Sequence, residues 1–93
     1  MTSYGKVKST RLEAETLGLR ALAHVVGDPA LGPRLLALTG LDVATLRSRA
    51  GDPALLGATL AFLESHEPSL VACAEALDVR PEQLIAAREA LGA

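Results

Sequence analysis

Aromatic residues are almost missing from this chain of 93 residues: Tyr4 and Phe62 are the only two, and tryptophan is absent. A core made without large rings has to be built from aliphatic and small side chains, so modest stability is expected, with some apolar surface left over for a partner. Cysteine is scarce too. A single residue, Cys73, excludes an internal disulfide and argues against a cysteine-based metal cluster. Long apolar runs are absent: the longest stretch free of charge, Pro53 to Leu63, has 11 residues, whereas a bilayer-spanning helix takes about 20. The N-terminus has no apolar signal-peptide core. A cytoplasmic location and no membrane partner are the expectation. Neither G-x-G-x-x-G nor a Walker pattern occurs, so no phosphate-binding loop and no cofactor are expected.

What is present is leucine and alanine, 18 and 17 residues respectively. Both are strong helix formers, and few β-branched residues compete with them. The composition is 49% hydrophobic with a mean hydropathy of +0.30, which suits one small domain with one core. The expected fold is all-α, a compact orthogonal bundle of five or six short helices over residues 10–92, preceded by a disordered basic tail over residues 1–9.

Helix starts are spelled by an acid followed by proline, which occurs at Asp28-Pro29, Asp52-Pro53 and Glu67-Pro68. The carboxylate accepts bonds from first-turn N–H groups, and proline loses nothing at a position whose N–H would be an orphan. Asp28, Asp42, Asp52 and Glu67 are therefore read as helix caps. Thr10 with Glu13 spells a capping box for a first helix ending near Val26, with Leu12, Leu19, Leu22 and Val26 as its apolar side. A second helix follows Asp28-Pro29 with Leu31, Leu35 and Leu38 on one face. Pro33 requires either a distorted first turn or a late start, because its ring and missing N–H break a ladder. A short third helix follows Asp42 through about Arg49. The most apolar segment begins at Asp52-Pro53 and places Leu55, Leu56, Leu60, Phe62 and Leu63 in a central helix. A fifth helix turns Leu70, Val71, Ala74 and Leu77 inward, and a sixth opens at Pro81 with Leu84, Ile85 and Leu91 as apolar contacts.

Charge is unevenly placed. Residues 1–11 carry +3, from Lys6, Lys8 and Arg11, whereas residues 12–93 carry −5. An acidic folded part is a poor phosphate binder, so nucleic acid is not the expected partner. The elements Gly27-Asp28-Pro29, Leu38-Thr39-Gly40-Leu41-Asp42, Leu46-Arg47, Gly51-Asp52-Pro53, Phe62-Leu63 and Glu67 resemble a small bacterial, all-helical family of unknown function over about residues 20–91. That resemblance implies a helical fold and carries over no activity and no catalytic residue. A second, local resemblance is to a helix-turn-helix: Ala74, Val79 and Leu84 occupy the small and apolar positions around a turn at Asp78. Its reading helix would offer Glu82, Gln83, Ala86, Ala87 and Glu89 beside Arg88, a set that repels phosphate and reads little of a base edge. Nucleic-acid contacts, if any, would fall to Lys6, Lys8, Arg11, Arg80 and Arg88.

His24 and His66 lack metal-ligand spacing and read as helix-end or solvated residues. Cys73, mid-helix among small residues, reads as packing and not as a nucleophile. No catalytic or metal residue is named. The function expected is non-enzymatic: a protein-interaction or adaptor module whose partner is an unidentified protein or a second copy. The alternative is a degenerate helix-turn-helix regulator.

Overall fold

Local chemistry sets where each helix begins, and the computed structural model, which describes residues 9–92, places six of them. They are α1 (Arg11–Gly27), α2 (Leu31–Thr39), α3 (Val43–Ser48), α4 (Pro53–Glu64), α5 (Glu67–Leu77) and α6 (Pro81–Ala90). No strand occurs among the described residues. The basic tail lies outside them apart from Ser9. At α1 the Thr10 hydroxyl accepts from the Glu13 N–H at 3.1 Å, and the Glu13 carboxylate accepts from the Thr10 N–H at 2.9 Å. Pro33 leaves its mark on α2. Gly32 N–H reaches the Asp28 carbonyl at 2.9 Å, but the next rung is missing because proline has no N–H. The regular helix therefore starts at Leu31 after one irregular turn. It ends at Gly40, which takes the left-handed conformation (φ 72°) and donates to the Leu36 carbonyl at 2.8 Å. The α5–α6 corner has the same kind of stop made by an aspartate: Asp78 sits at φ 58°, and Val79 N–H reaches back to the Ala74 carbonyl at 2.9 Å.

The body of the bundle is α1, α4, α5 and α6, with α2 packed against α1 and α3 touching its neighbours only lightly. The Cα radius of gyration, 12.7 Å, is close to the value of about 12 Å that a compact chain of this size adopts. The central helix is α4, whose Leu55, Leu56, Leu60 and Leu63 are buried against α1, α5 and α6. Phe62 is only half-buried, its ring lying 5.9 Å from the Arg34 guanidinium. Among the described residues one polar side chain is buried in the core, Thr59, whose hydroxyl donates to the Leu55 carbonyl at 2.9 Å.

Several expected faces are corrected. On α1 the buried residues are Ala14, Gly18, Ala21, Leu22 and Val25, whereas Leu12, Leu19 and Val26 are exposed. The helix turns its small residues inward because they let its axis come close to α4: a Cβ on Gly18 would lie 3.0 Å from Leu56 Cβ. On α5, Val71 is exposed, whereas Cys73 is buried, in keeping with its reading as a packing residue. On α2, Leu38 is exposed, since α2 packs mainly on α1, which takes Leu31 and Leu35 and leaves the Leu38 side of the helix uncovered. On α6, Ala86 and Ala87 join Leu84 in the interior, while Ile85 and Leu91 are half-buried.

Two substitutions test this packing by chemical denaturation. Leu60→Ala removes a fully buried side chain and should cost about 2–5 kcal/mol. Gly18→Ala gains helix propensity worth about 1 kcal/mol but meets Leu56 Cβ, an atom fixed to the backbone that cannot swing aside. We expect net destabilisation of about 1 kcal/mol, the overpacking cost exceeding the propensity gain.

Candidate functional site

The exposed leucines and valines of α1 do not stand alone. A hollow of about 360 Å³ is lined by Leu19, Leu22, Ala23, Val26, Val43 and Leu46, with Arg47 as its single ionisable neighbour. A second hollow of about 220 Å³ shares Val26, Val43 and Leu46 with it and continues past Leu36 and Pro33 of α2. Together they form one apolar groove between α1 on one side and α2–α3 on the other. Leu46 closes its floor and is buried; Val43 stands exposed at the rim. Composition foretold an apolar surplus but not its place. The spacing of Leu12, Leu19 and Val26 held the signal, and it was assigned to the core because large aliphatics are normally the buried ones.

A third hollow, of about 430 Å³, lies at the other end of α1 between Leu12, Glu13, Thr16, Arg20 and the Val79–Gln83 corner. Its charged groups are engaged in holding the fold. Glu13 completes the capping box, and Arg20 Nη2 donates to the Leu77 carbonyl at 2.7 Å, clipping α1 to the C-terminal end of α5.

The sequence-named residues are scattered. Asp42 Oδ1 accepts from the Thr45 N–H at 2.7 Å, and Asp52 Oδ1 from the Ala54 N–H at 2.9 Å. Asp28 Oδ1 accepts from Ala30 and Leu31 at 2.8 and 2.9 Å, capping the irregular turn ahead of α2 and not the helix itself, whose cap position is Ala30. Glu67 is not a cap. It is the first residue of α5, His66 holds the cap position, and the His66 ring is 2.7 Å from the Ser69 hydroxyl. Glutamate's extra methylene carries its carboxylate past the N–H groups that a shorter aspartate reaches. His24 is half-buried in the last turn of α1. No three His, Cys, Asp or Glu side chains converge among the described residues. Cys73 is fully buried, and burial pushes its thiol up to about 11, which suits packing.

Lys6 and Lys8 lie outside the described residues. Arg11 pairs with Glu15 at 3.4 Å on the surface of α1. Arg80 is exposed ahead of α6, and Arg88, in the last turn of α6, is half-buried and ion-paired with Glu64 of α4. Eight residues apart on the chain, these two arginines are separated by about 12 Å of helix. The corner around Asp78 does bring Ala74 and Leu84 into the interior with Val79 half-buried. The following helix is nevertheless wedged against α1 and α4, with Ala86 and Ala87 buried and Glu82 and Glu89 facing solvent.

Three carboxyls are held below their ordinary range. Asp28 is lowered by the Leu31 and Ala30 N–H groups, Asp42 by the N–H and then the hydroxyl of Thr45, and Asp52 by the Arg49 side chain and then the Ala54 N–H. Their folded-state pKa lies below the unfolded one. Their stabilisation is therefore complete above the unfolded carboxylate value of about 4 and is lost as pH falls through the lowered values. Melting temperature should drop below about pH 4. Asp42→Asn keeps the acceptor without the titration, so thermal melts followed by circular dichroism should show a shallower acid limb with neutral-pH stability retained.

No helix among the described residues is long and apolar enough to cross a membrane. Comparison with curated proteins and with solved structures returned no match. A family model described as a protein of unknown function, DUF3572, matches residues 11–93, which takes in all six helices and the groove. On that match the chain belongs to the DUF3572 family.

Proposed function

We propose that this domain acts by binding another protein through the apolar groove of α1, α2 and α3, as an interaction or adaptor module, and carries out no chemistry of its own. The observation that supports this reading is the groove itself. It is concave and continuous, and it exposes Leu19, Val26 and Val43 with a single arginine at its edge. Apolar surface of this kind, rimmed by polar residues, is the ordinary signature of a docking face. Nucleophile, base and oxyanion donors do not meet at its lining, which an acyl- or phosphoryl-transfer site would need.

The competing reading, a degenerate helix-turn-helix regulator, has the α5–α6 corner in its favour. It is weakened by the position of α6, whose alanines are inside and whose outward face carries Glu82 and Glu89. A reading helix has to present its side chains to a groove of DNA.

The test is capture of protein partners by immobilised full-length chain, compared with Val43→Asp and Val71→Asp. Both valines are exposed, so both variants should fold. Binding should be lost in Val43→Asp, which charges the groove, and kept in Val71→Asp on α5. Equal capture by both variants, or sequence-dependent DNA binding at physiological salt that Arg80→Ala abolishes, would defeat the proposal.

A further inference from the structure

Helix α1 carries two rows of residues, and only one is buried in the core of the domain. The inward row, Ala14, Gly18, Ala21 and Val25, is buried. The outward row is Leu12, Thr16, Leu19, Ala23 and Val26, all exposed, with Leu12, Leu19 and Val26 at 74, 47 and 37%. Its steps are four, three, four and three residues. That average of 3.5 is the repeat of a coiled-coil seam. The row runs about 21 Å along the helix, longer than an isolated exposed leucine needs and on the side opposite the core.

We propose that this row is the contact face for a second copy of the chain, paired antiparallel about a two-fold axis near residues 17 and 18. The inference rests on the reading of the domain as a protein-binding module and names its partner. Three features of the row fit a copy of itself. The first is size. Large side chains at 12, 19 and 26 alternate with small ones at 16 and 23. In an antiparallel pair Leu12 of one copy faces Ala23 of the other, and Thr16 faces Leu19, so both leucines meet a smaller residue, while Val26 lies level with Ser9 just ahead of the partner helix. A parallel pair would set leucine on leucine and alanine on alanine and leave gaps.

The second is the receiving surface. Ala23 lies in the lining of the 360 Å³ hollow beside Leu19, Val26 and Val43. Leu12, the most exposed large hydrophobic residue among those described, therefore enters an apolar hollow of the second copy, and the two-fold repeats the contact.

The third is charge. From residue 28 to 93 the chain carries nine acidic and five basic residues, but α1 balances Arg11 and Arg20 against Glu13 and Glu15. Two copies can meet on this helix without net repulsion. Glu13 and Arg20 stand seven residues apart on one flank of the row, and antiparallel pairing brings Glu13 of each copy near Arg20 of the other. Glu13 gives one carboxylate oxygen to Thr10, and Arg20 one Nη2 bond to Leu77, which leaves both with capacity to pair.

Sedimentation equilibrium of the full chain over micromolar to millimolar concentrations tests the inference. The expected result is a monomer–dimer equilibrium. Leu19→Glu should weaken it by at least about tenfold, since two like charges are placed near the axis, and Leu38→Glu, at a 68% exposed site off the row, should leave it unchanged. Circular dichroism of both variants checks that they are folded. Orientation is read by oxidative cross-linking. Mixed Leu12→Cys and Ala23→Cys chains should give a disulfide-linked heterodimer, and either variant alone should not. A monomer at every concentration, a dimer indifferent to Leu19→Glu, cross-linking of each variant only to itself, or dimerisation that appears only after residues 1–8 are removed would overturn the inference. Failure here leaves the docking reading intact if Val43→Asp still abolishes capture of a different protein; if capture is also unaffected, both readings fail together.

Discussion

The contact on which the rest of this domain depends is the approach of α1 to α4 at Gly18 and Leu56. A methyl group there would force its neighbour to give way: an added Cβ would sit 3.0 Å from Leu56 Cβ. With two aromatic residues in the chain and Phe62 only half-buried, no large ring fills the centre between α1 and α4. Dispersion contacts fall off steeply with distance, so a leucine–alanine core holds together only if the helix axes are brought close. Ala14, Gly18 and Ala21 make that possible on α1, and α1 in turn touches α2, α4, α5 and α6. Burial of the α4 leucines, each worth about 1.5–3 kcal/mol against exposure, follows from that closeness.

The same constraint produces the exposed face. A helix with one small-residue row facing its neighbour at short range has to carry its larger side chains elsewhere. On α1 they stand on the outside, at Leu12, Leu19 and Val26. The groove is thus a consequence of how the core is built, and the apolar surplus implied by composition appears where the close-packed helix turns its back. Arg20 shows the structural use of the polar flank: its guanidinium reaches the last carbonyl of α5 and fixes the corner against α1.

What could be read from the sequence divides by range. Most interactions that close within four residues were legible: the Thr10–Glu13 box, the missing rung at Pro33, the left-handed stop at Gly40, and the tolerance of Asp78 for φ above zero; the caps of α2 and α5, displaced to Ala30 and His66, were not. Helix existence and order were legible for the same reason. The side of α1 that is buried was not, because the rows at 14, 18, 21, 25 and at 12, 16, 19, 23, 26 have the same period, and hydrophobicity favours the wrong one. Only the position of α4, a long-range fact, selects the small row. Val71 repeats the point on α5, exposed although its apolar side chain favours the interior. Cysteine behaves as a small hydrophobe and takes the interior position, while a larger β-branched neighbour is left outside. The groove was illegible because its two walls are contributed by helices some 20 residues apart, so neither wall is concave alone.

The groove also joins parts of unequal firmness. Its α1 wall belongs to the four-helix body. Its other wall, α2 and α3, is held to that body chiefly through Leu31, Leu35 and Leu46, and α3 is six residues long with one fully buried side chain. A single short helix secured at one point is drawn from the low-stability end of a structure, where local opening costs least. Asp42 fastens its N-terminus and the Arg49–Asp52 pair, at 2.9 Å, ties its exit to the start of α4, so α3 is tethered at both ends and anchored between them by Leu46 alone. That wall is set apart from the contacts that hold the core, which run through Gly18 and Leu56 on the far side of α1, so a change at Val43 or Leu46 bears on the groove before it bears on the four-helix body.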